Sequence, residues 1–125
     1  MSLLLNRLGA FPNGRAPRTL WIGPSDDARA QAAAARIIAL HSAIDAACAT
    51  LGLQQDPHHL SPHLTLARVR SGERQVGRAL TDAGLFDRSI DAGSLACEAV
   101  TLFKSDLTAK GPIHTRLWKV KLLKA

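Results

Sequence analysis

The chain has 125 residues, 46% of them hydrophobic, with 16 Lys and Arg against 10 Asp and Glu and a formal net charge of +6. That length suits one domain with a real core, and the apolar content excludes disorder as the default state. No uninterrupted apolar run approaches the ~20 residues of a membrane helix or is placed like a signal peptide, so no membrane partner is expected. The basic balance favours an anionic partner, nucleic acid first. Lys110, Arg116, Lys119, Lys121 and Lys124 sharpen this, since no acid accompanies them at the C-terminal end; a solvated strand face is the plainer account of the same charges. Cys48 and Cys97 lack disulfide or metal-ligand spacing and read as buried thiols of a reducing cytoplasm.

In chain order, GAFPNGRA (residues 9–16) reads as a turn-rich segment. RTLWIG (18–23) reads as a strand with Leu20 and Ile22 on one face and Thr19 and Trp21 on the other. Ser25, followed by Asp26 and Asp27, is a capping hydroxyl with acids at the positive end of a helix dipole. The alanine-rich helix that follows carries a 3.6-period stripe of Ile37, Leu40, Ile44, Cys48 and Leu51, and Gly52 stops it. A polar loop, QQDPHHLSP, leads into SPHLTLARV (61–69). Residues 71–86 have weak helical character, and 95–103 and 114–123 read as strands. In the last, Trp118, Val120 and Leu122 share a face opposite Leu117, Lys119 and Lys121, with Trp118 read as core. The order predicts an α+β fold, a mainly antiparallel sheet with one long helix.

SPHLTLARV carries the chemistry. Strand alternation puts His63 and Thr65 on one face and Leu64 and Leu66 on the other. Burying the leucines displays an imidazole beside a hydroxyl, half of an acid–base site for a phosphate. Trp21 is either a partly buried strand tryptophan or a platform for stacking a base. His58 and His59 lie near His63, but Pro62 breaks any helix that would align 59 with 63, and no acid or cysteine completes a shell, so no metal is expected. His41 borders the helix stripe and reads as a packing-edge residue.

GAFPNGRAPRTLWIG, the helix ending in LGL, SPHLTLARV and the tail VTLFKSDLTAKGPIHTRLWKVKL together resemble the 2H phosphoesterases, most closely the RNA 2′,3′-cyclic phosphodiesterases also called 2′-5′ RNA ligases. The resemblance runs from about Gly9 to the C-terminus. It implies a bilobal α+β fold with two H-x-T motifs across a cleft, one histidine acting as base toward water and the other protonating the leaving ribose oxygen. It implies RNA or a nucleotide ending in a 2′,3′-cyclic phosphate as substrate, a 2′-phosphate as product, and no cofactor. His63 and Thr65 match the second motif as catalytic residues, with Thr65 and Arg68 holding the phosphate. Strict alternation places Arg68 on the leucine face, so that role requires a bulge, twist or strand end. The family's S-x-L-x-x-x-G-P-x-[Y/H] tail matches Ser105, Leu107, Gly111, Pro112 and His114, with histidine where tyrosine is commoner. His58 stands where the family usually has arginine.

The family's first strand, helix and H-x-T motif normally precede the GAFP segment, and SLLLNRL contains no histidine. The sequence therefore resembles the C-terminal two-thirds of a family member, a single N-terminally truncated domain over 1–125. Three readings stay open. The chain is an impaired RNA 2′,3′-cyclic phosphodiesterase, a non-catalytic RNA or nucleotide phosphate-binding module, or a fragment whose missing motif lies upstream or on another chain. Removal of the partner segment is also expected to leave an open sheet edge and apolar surface at Trp118, Val120 and Leu122, inviting a homodimer through the C-terminal strands. One form of that dimer brings His63 of each chain toward one cleft.

Overall fold

The computed structural model describes residues 1–124. The elements run β1 (Ser2–Leu4), β2 (Arg7–Phe11), β3 (Thr19–Gly23), α1 (Ala28–Thr50), β4 (Leu64–Arg68), α2 (Glu73–Asp82), β5 (Ser94–Ala96), β6 (Ala99–Thr108) and β7 (Gly111–Lys121). The α+β class with antiparallel sheets and one long helix is as the sequence order predicts. Two compact units divide the described residues, one of residues 2–95 and one from residue 96 onward with Met1.

In the larger unit, β2, β3 and β4 form a three-stranded antiparallel sheet with β3 in the centre. β1 pairs with β5; beside it the Leu5 amide donates to the Gly93 carbonyl and the Ala92 amide to the Leu5 carbonyl. The core is small: Leu3, Leu5, Ile22 and Ala34, with Ile37 and Ile90 packed against them. Ile22 comes from the apolar face of β3, so the opposite face of that strand, with Thr19 and Trp21, is left for other work.

The N-cap of α1 is Asp27, not Ser25. Its carboxylate accepts the Ala30 amide at 2.9 Å, and the Ser25 hydroxyl donates to the other carboxylate oxygen. A carboxylate reaches the helix amides and takes the hydroxyl as its own support. The buried face is also shifted from the expected stripe. Ala30 and Ala34 carry the contact with β1, while Ile44 is exposed and Leu51 is 78% exposed. The small alanines let the helix approach closely at its N-terminal half, and the unit holds nothing over the stripe's far end. α1 is also long and apolar enough by composition to cross a membrane, a feature that run length alone passes over because Arg29, Arg36 and Asp45 interrupt it.

Gly9 to Phe11 belong to a strand, so the turn begins only at Pro12. Gly9 sits opposite Trp21, and a Cβ added there would stand 2.0 Å from the indole. The glycine is required by the tryptophan lying across it, not by a turn.

In the smaller unit, β6 and β7 form a hairpin paired from Ala99↔Lys121 to Thr108↔Gly111. The expected strand over 95–103 is interrupted at Cys97 and Glu98, and β6 runs on to Thr108. The Thr108 hydroxyl donates to the Gly111 carbonyl at 2.6 Å, and Gly111 takes φ +113° to close the turn. The core assignment of Trp118 is corrected: the side chain is 49% exposed, as are Leu102, Phe103 and Val120 to similar degrees. A two-stranded hairpin has no second layer within the unit to cover either face.

Candidate active site

The site is built on one face of the β2–β3–β4 sheet. Trp21 pairs with Thr65 and Leu20 with Ala67, so Leu66 is an extra residue and β4 bulges there. Beyond the bulge Arg68 pairs with Thr19. Thr19 and Trp21 share a face, so Thr65 and Arg68 share it too. The requirement that alternation imposed on Arg68 is met by this bulge. Arg68 Nη1 donates to the Thr19 hydroxyl at 3.4 Å. That contact leaves most of the guanidinium's five donors free.

His63 immediately precedes β4. Its ring meets Phe11 edge-on with centroids 5.0 Å apart, and lies 5.9 Å from the Trp21 ring. Phe11 and Trp21 are themselves 5.3 Å apart. These contacts place the imidazole on the same face as Thr65 and Arg68. His63 Nδ1 lies 2.5 Å from the Ser61 carbonyl. A carbonyl only accepts, so Nδ1 carries the hydrogen and Nε2 is the atom presented outward. His63, Thr65 and Arg68 are all solvent-exposed.

Trp21 is half-buried and completes a triangle of rings with Phe11 and His63, over Gly9 and beside Gly23. Its Nε1 is buried and has no hydrogen-bond partner among the described residues. Sequence reading missed Phe11, which supports His63, Thr19, which meets Arg68, and Gly9, which makes room for the indole. The available signal for Gly9 was its place opposite Trp21 in a hairpin-like pair, hidden by the neighbouring Pro12, Asn13 and Gly14.

His58 Nδ1 pairs with Asp56 Oδ1 at 3.0 Å. The His58 amide and ring hold the Asp56 carboxyl below its ordinary 3.8. Among the described residues no three His, Cys, Asp or Glu side chains gather closely enough to hold a metal ion. Cys48 and Cys97 are free thiols, both half-buried. In the smaller unit, Ser105 and His114 are direct cross-strand partners, with Ser105 Oγ 2.9 Å from His114 Nδ1.

A sequence model of LigT-like phosphoesterases matches residues 29–114. The chain is similar to proteins named RNA 2′,3′-cyclic phosphodiesterase from three organisms. With that of Aeropyrum pernix it shares 27% identity over 119 residues, covering 94% of this chain and 62% of the relative. With that of Methanocaldococcus jannaschii it shares 27% over 114 residues, covering 91% and 60%. With that of Aquifex aeolicus it shares 30% over 108 residues, covering 86% and 53%. The chain thus spans a little over half the length of these relatives. A family match across most of the chain, falling on the helix, β4 and the Ser105–His114 tail, settles the kinship: the chain belongs to the LigT-like phosphoesterases.

Proposed function

We propose that the His63–Thr65–Arg68 face binds the 2′,3′-cyclic phosphate at an RNA end and supplies one of the two proton transfers in its hydrolysis to a 2′-phosphate. The observation that carries this reading is the Leu66 bulge, which gathers the guanidinium of Arg68 onto the face of the imidazole and hydroxyl. Water oxygen bonds to phosphorus, the bond from phosphorus to the ribose 3′ oxygen breaks, and that oxygen takes up a proton while the water loses one. His63 Nε2 serves one end of this exchange. Thr65 and Arg68 hold the non-bridging oxygens, whose charge grows as water attacks. The partner proton transfer belongs to a second group, as in the two-histidine pattern that the sequence resembles. Each such group is worth ~10²–10⁴-fold in rate.

A second reading, a phosphate-binding module without turnover, is favoured by one observation: β2, β3 and β4 contain no histidine, so the sheet itself contributes no partner to His63. Hydrolysis of a 2′,3′-cyclic mononucleotide by the purified protein separates the two. Turnover that falls to background in His63→Ala and drops strongly in Thr65→Ala supports the enzyme. Binding of the same nucleotide with no turnover supports the module. Turnover unchanged in His63→Ala assigns the chemistry elsewhere and overturns the proposal.

A further inference from the structure

Three arginines outside this site line one groove of the larger unit. Arg15, Arg74 and Arg78 come together there with Asn13, Gly77 and Asp82. The groove is firmly built. Asn13 Oδ1 accepts the amides of Arg15 and Ala16 at 3.0 and 3.1 Å, shaping the loop that carries Arg15. On the other side Gly77 of α2 presses against that loop so closely that an added Cβ would lie 2.4 Å from the carbonyl oxygens of Gly14 and Arg15. Arg74 and Arg78 stand one turn apart on α2, a like-charge pairing that costs helix stability. Asp82 lies a turn beyond, yet among the described residues none of the three guanidiniums is in an ion pair. All three arginines are exposed.

The groove's position relative to His63 follows from the topology. β2 ends at Phe11, β3 begins at Thr19 and β4 ends at Arg68, and these three residues form one row across the sheet. The row is continued by Arg18, whose amide donates to the Phe11 carbonyl and whose carbonyl accepts the Val69 amide, each at 2.8 Å. The Pro12–Arg18 loop and the start of α2 both leave from that end. The His63 backbone stands at the opposite end of β4, and its ring reaches back along the sheet to meet Phe11 of that row. The loop and the helix that carry the groove therefore adjoin the Arg68 end of the sheet.

We infer that the groove holds the phosphates of the single-stranded RNA that precedes the cyclic end, with the chain running from His63 past Arg68 to Arg15, Arg74 and Arg78. The inference rests on the proposed function for the direction of the strand. On this inference a mononucleotide at His63 leaves the groove empty, whereas an oligonucleotide engages both. Guanidinium groups suit this role because their planar forks pair with phosphate oxygens without reading bases. The groove is thus a device for length, not for sequence.

The test uses a 3′-phosphorylated RNA of about ten nucleotides, inside the ~4–16 range of single-strand sites, in polarisation titrations over a range of salt. Each lost phosphate contact lowers the log–log salt slope by ~0.7 on single strands. The triple variant Arg15→Gln, Arg74→Gln, Arg78→Gln is expected to reduce the slope by about 2 and to leave binding of a mononucleotide unchanged. A matched triple, Arg29→Gln, Arg36→Gln, Arg88→Gln, removes the same charge from other surfaces and is expected to keep the slope. An unchanged slope in the groove variant, or equal losses in both triples, overturns the inference. So does a ligand preference for inorganic phosphate that does not rise with RNA length. Because this readout needs no turnover, an inactive His63 site and an empty groove give different results.

Discussion

The β2–β3–β4 sheet and the β6–β7 hairpin use the same device to different ends. β4 bulges at Leu66 and β7 bulges at Leu117, each placing one extra residue against a regular partner. In the β2–β3–β4 sheet the bulge brings Arg68 round to the face that already holds His63, Thr65, Phe11 and Trp21. The other face of β3 is anchored by buried Ile22 in the core with Leu3, Leu5 and Ala34. In the β6–β7 hairpin no such layer exists within the unit, so Leu102, Trp118 and Val120 stay half exposed. A bulge re-aims a side chain in either case. It builds a site only where the opposite face is tied down.

The comparison breaks most easily at Gly9. Gly9→Ala puts a methyl group 2.0 Å from the Trp21 ring, and the indole that supports His63 must move. The expected loss is ~1–3 kcal/mol in urea unfolding, together with loss of nucleotide binding. In the hairpin, Leu107→Ala removes a side chain that is 89% exposed and is expected to change stability by less than ~0.5 kcal/mol. Equal effects would erase the distinction between a supported and an unsupported sheet.

Association is the next test. A two-stranded hairpin with bare edges and an apolar face is marginal alone in water, and a second copy is the partner that the C-terminal strands are expected to meet. Light scattering should show a dimer that dissociates in Trp118→Ser, Val120→Ser. A monomer at all concentrations removes the dimer from the account and leaves the hairpin uncovered.

The smallest effect is at the N-cap of α1. The Ser25 hydroxyl first, and the Ala30 amide next, hold the Asp27 carboxyl below its ordinary 3.8. A lowered folded value means that this contribution is complete above about pH 4 and is lost as pH falls through the lowered value. Asp27→Asn should therefore narrow the Tm difference between neutral and acid solution, and a Tm profile unchanged in shape would deny the cap that role.

Much of this was legible in the residues, for reasons that differ from place to place. The strand at 18–23, the long helix with its Gly52 stop and the His63–Thr65 face follow from local periodicity, which acts within a few residues. The bulge was legible only as a requirement, because Arg68 had no other way to join His63. Gly9 in a strand and the alanine seat of α1 were not legible, since both depend on what packs against them: the Trp21 ring and β1. Trp118 was misread because a strand tryptophan looks like core until the layer over it is counted. The arginine groove escaped because Arg15 and the pair on α2 lie some sixty residues apart and meet only through the fit of Gly77 to the loop.

The central claim is that the bulge, not simple alternation, sets which face Arg68 serves. Ala67 and Arg68 are both exposed, so the exchange Ala67→Arg with Arg68→Ala moves one guanidinium across the sheet with little demand on the core. Calorimetric titration with a 2′,3′-cyclic nucleotide reads the outcome. The bulged register places residue 67 opposite Leu20 on the back face, so the exchange should weaken binding about 10- to 100-fold, the loss of a charged hydrogen bond. Affinity retained or improved would put residue 67 beside His63 and Thr65, as an unbroken strand requires, and would contradict the account.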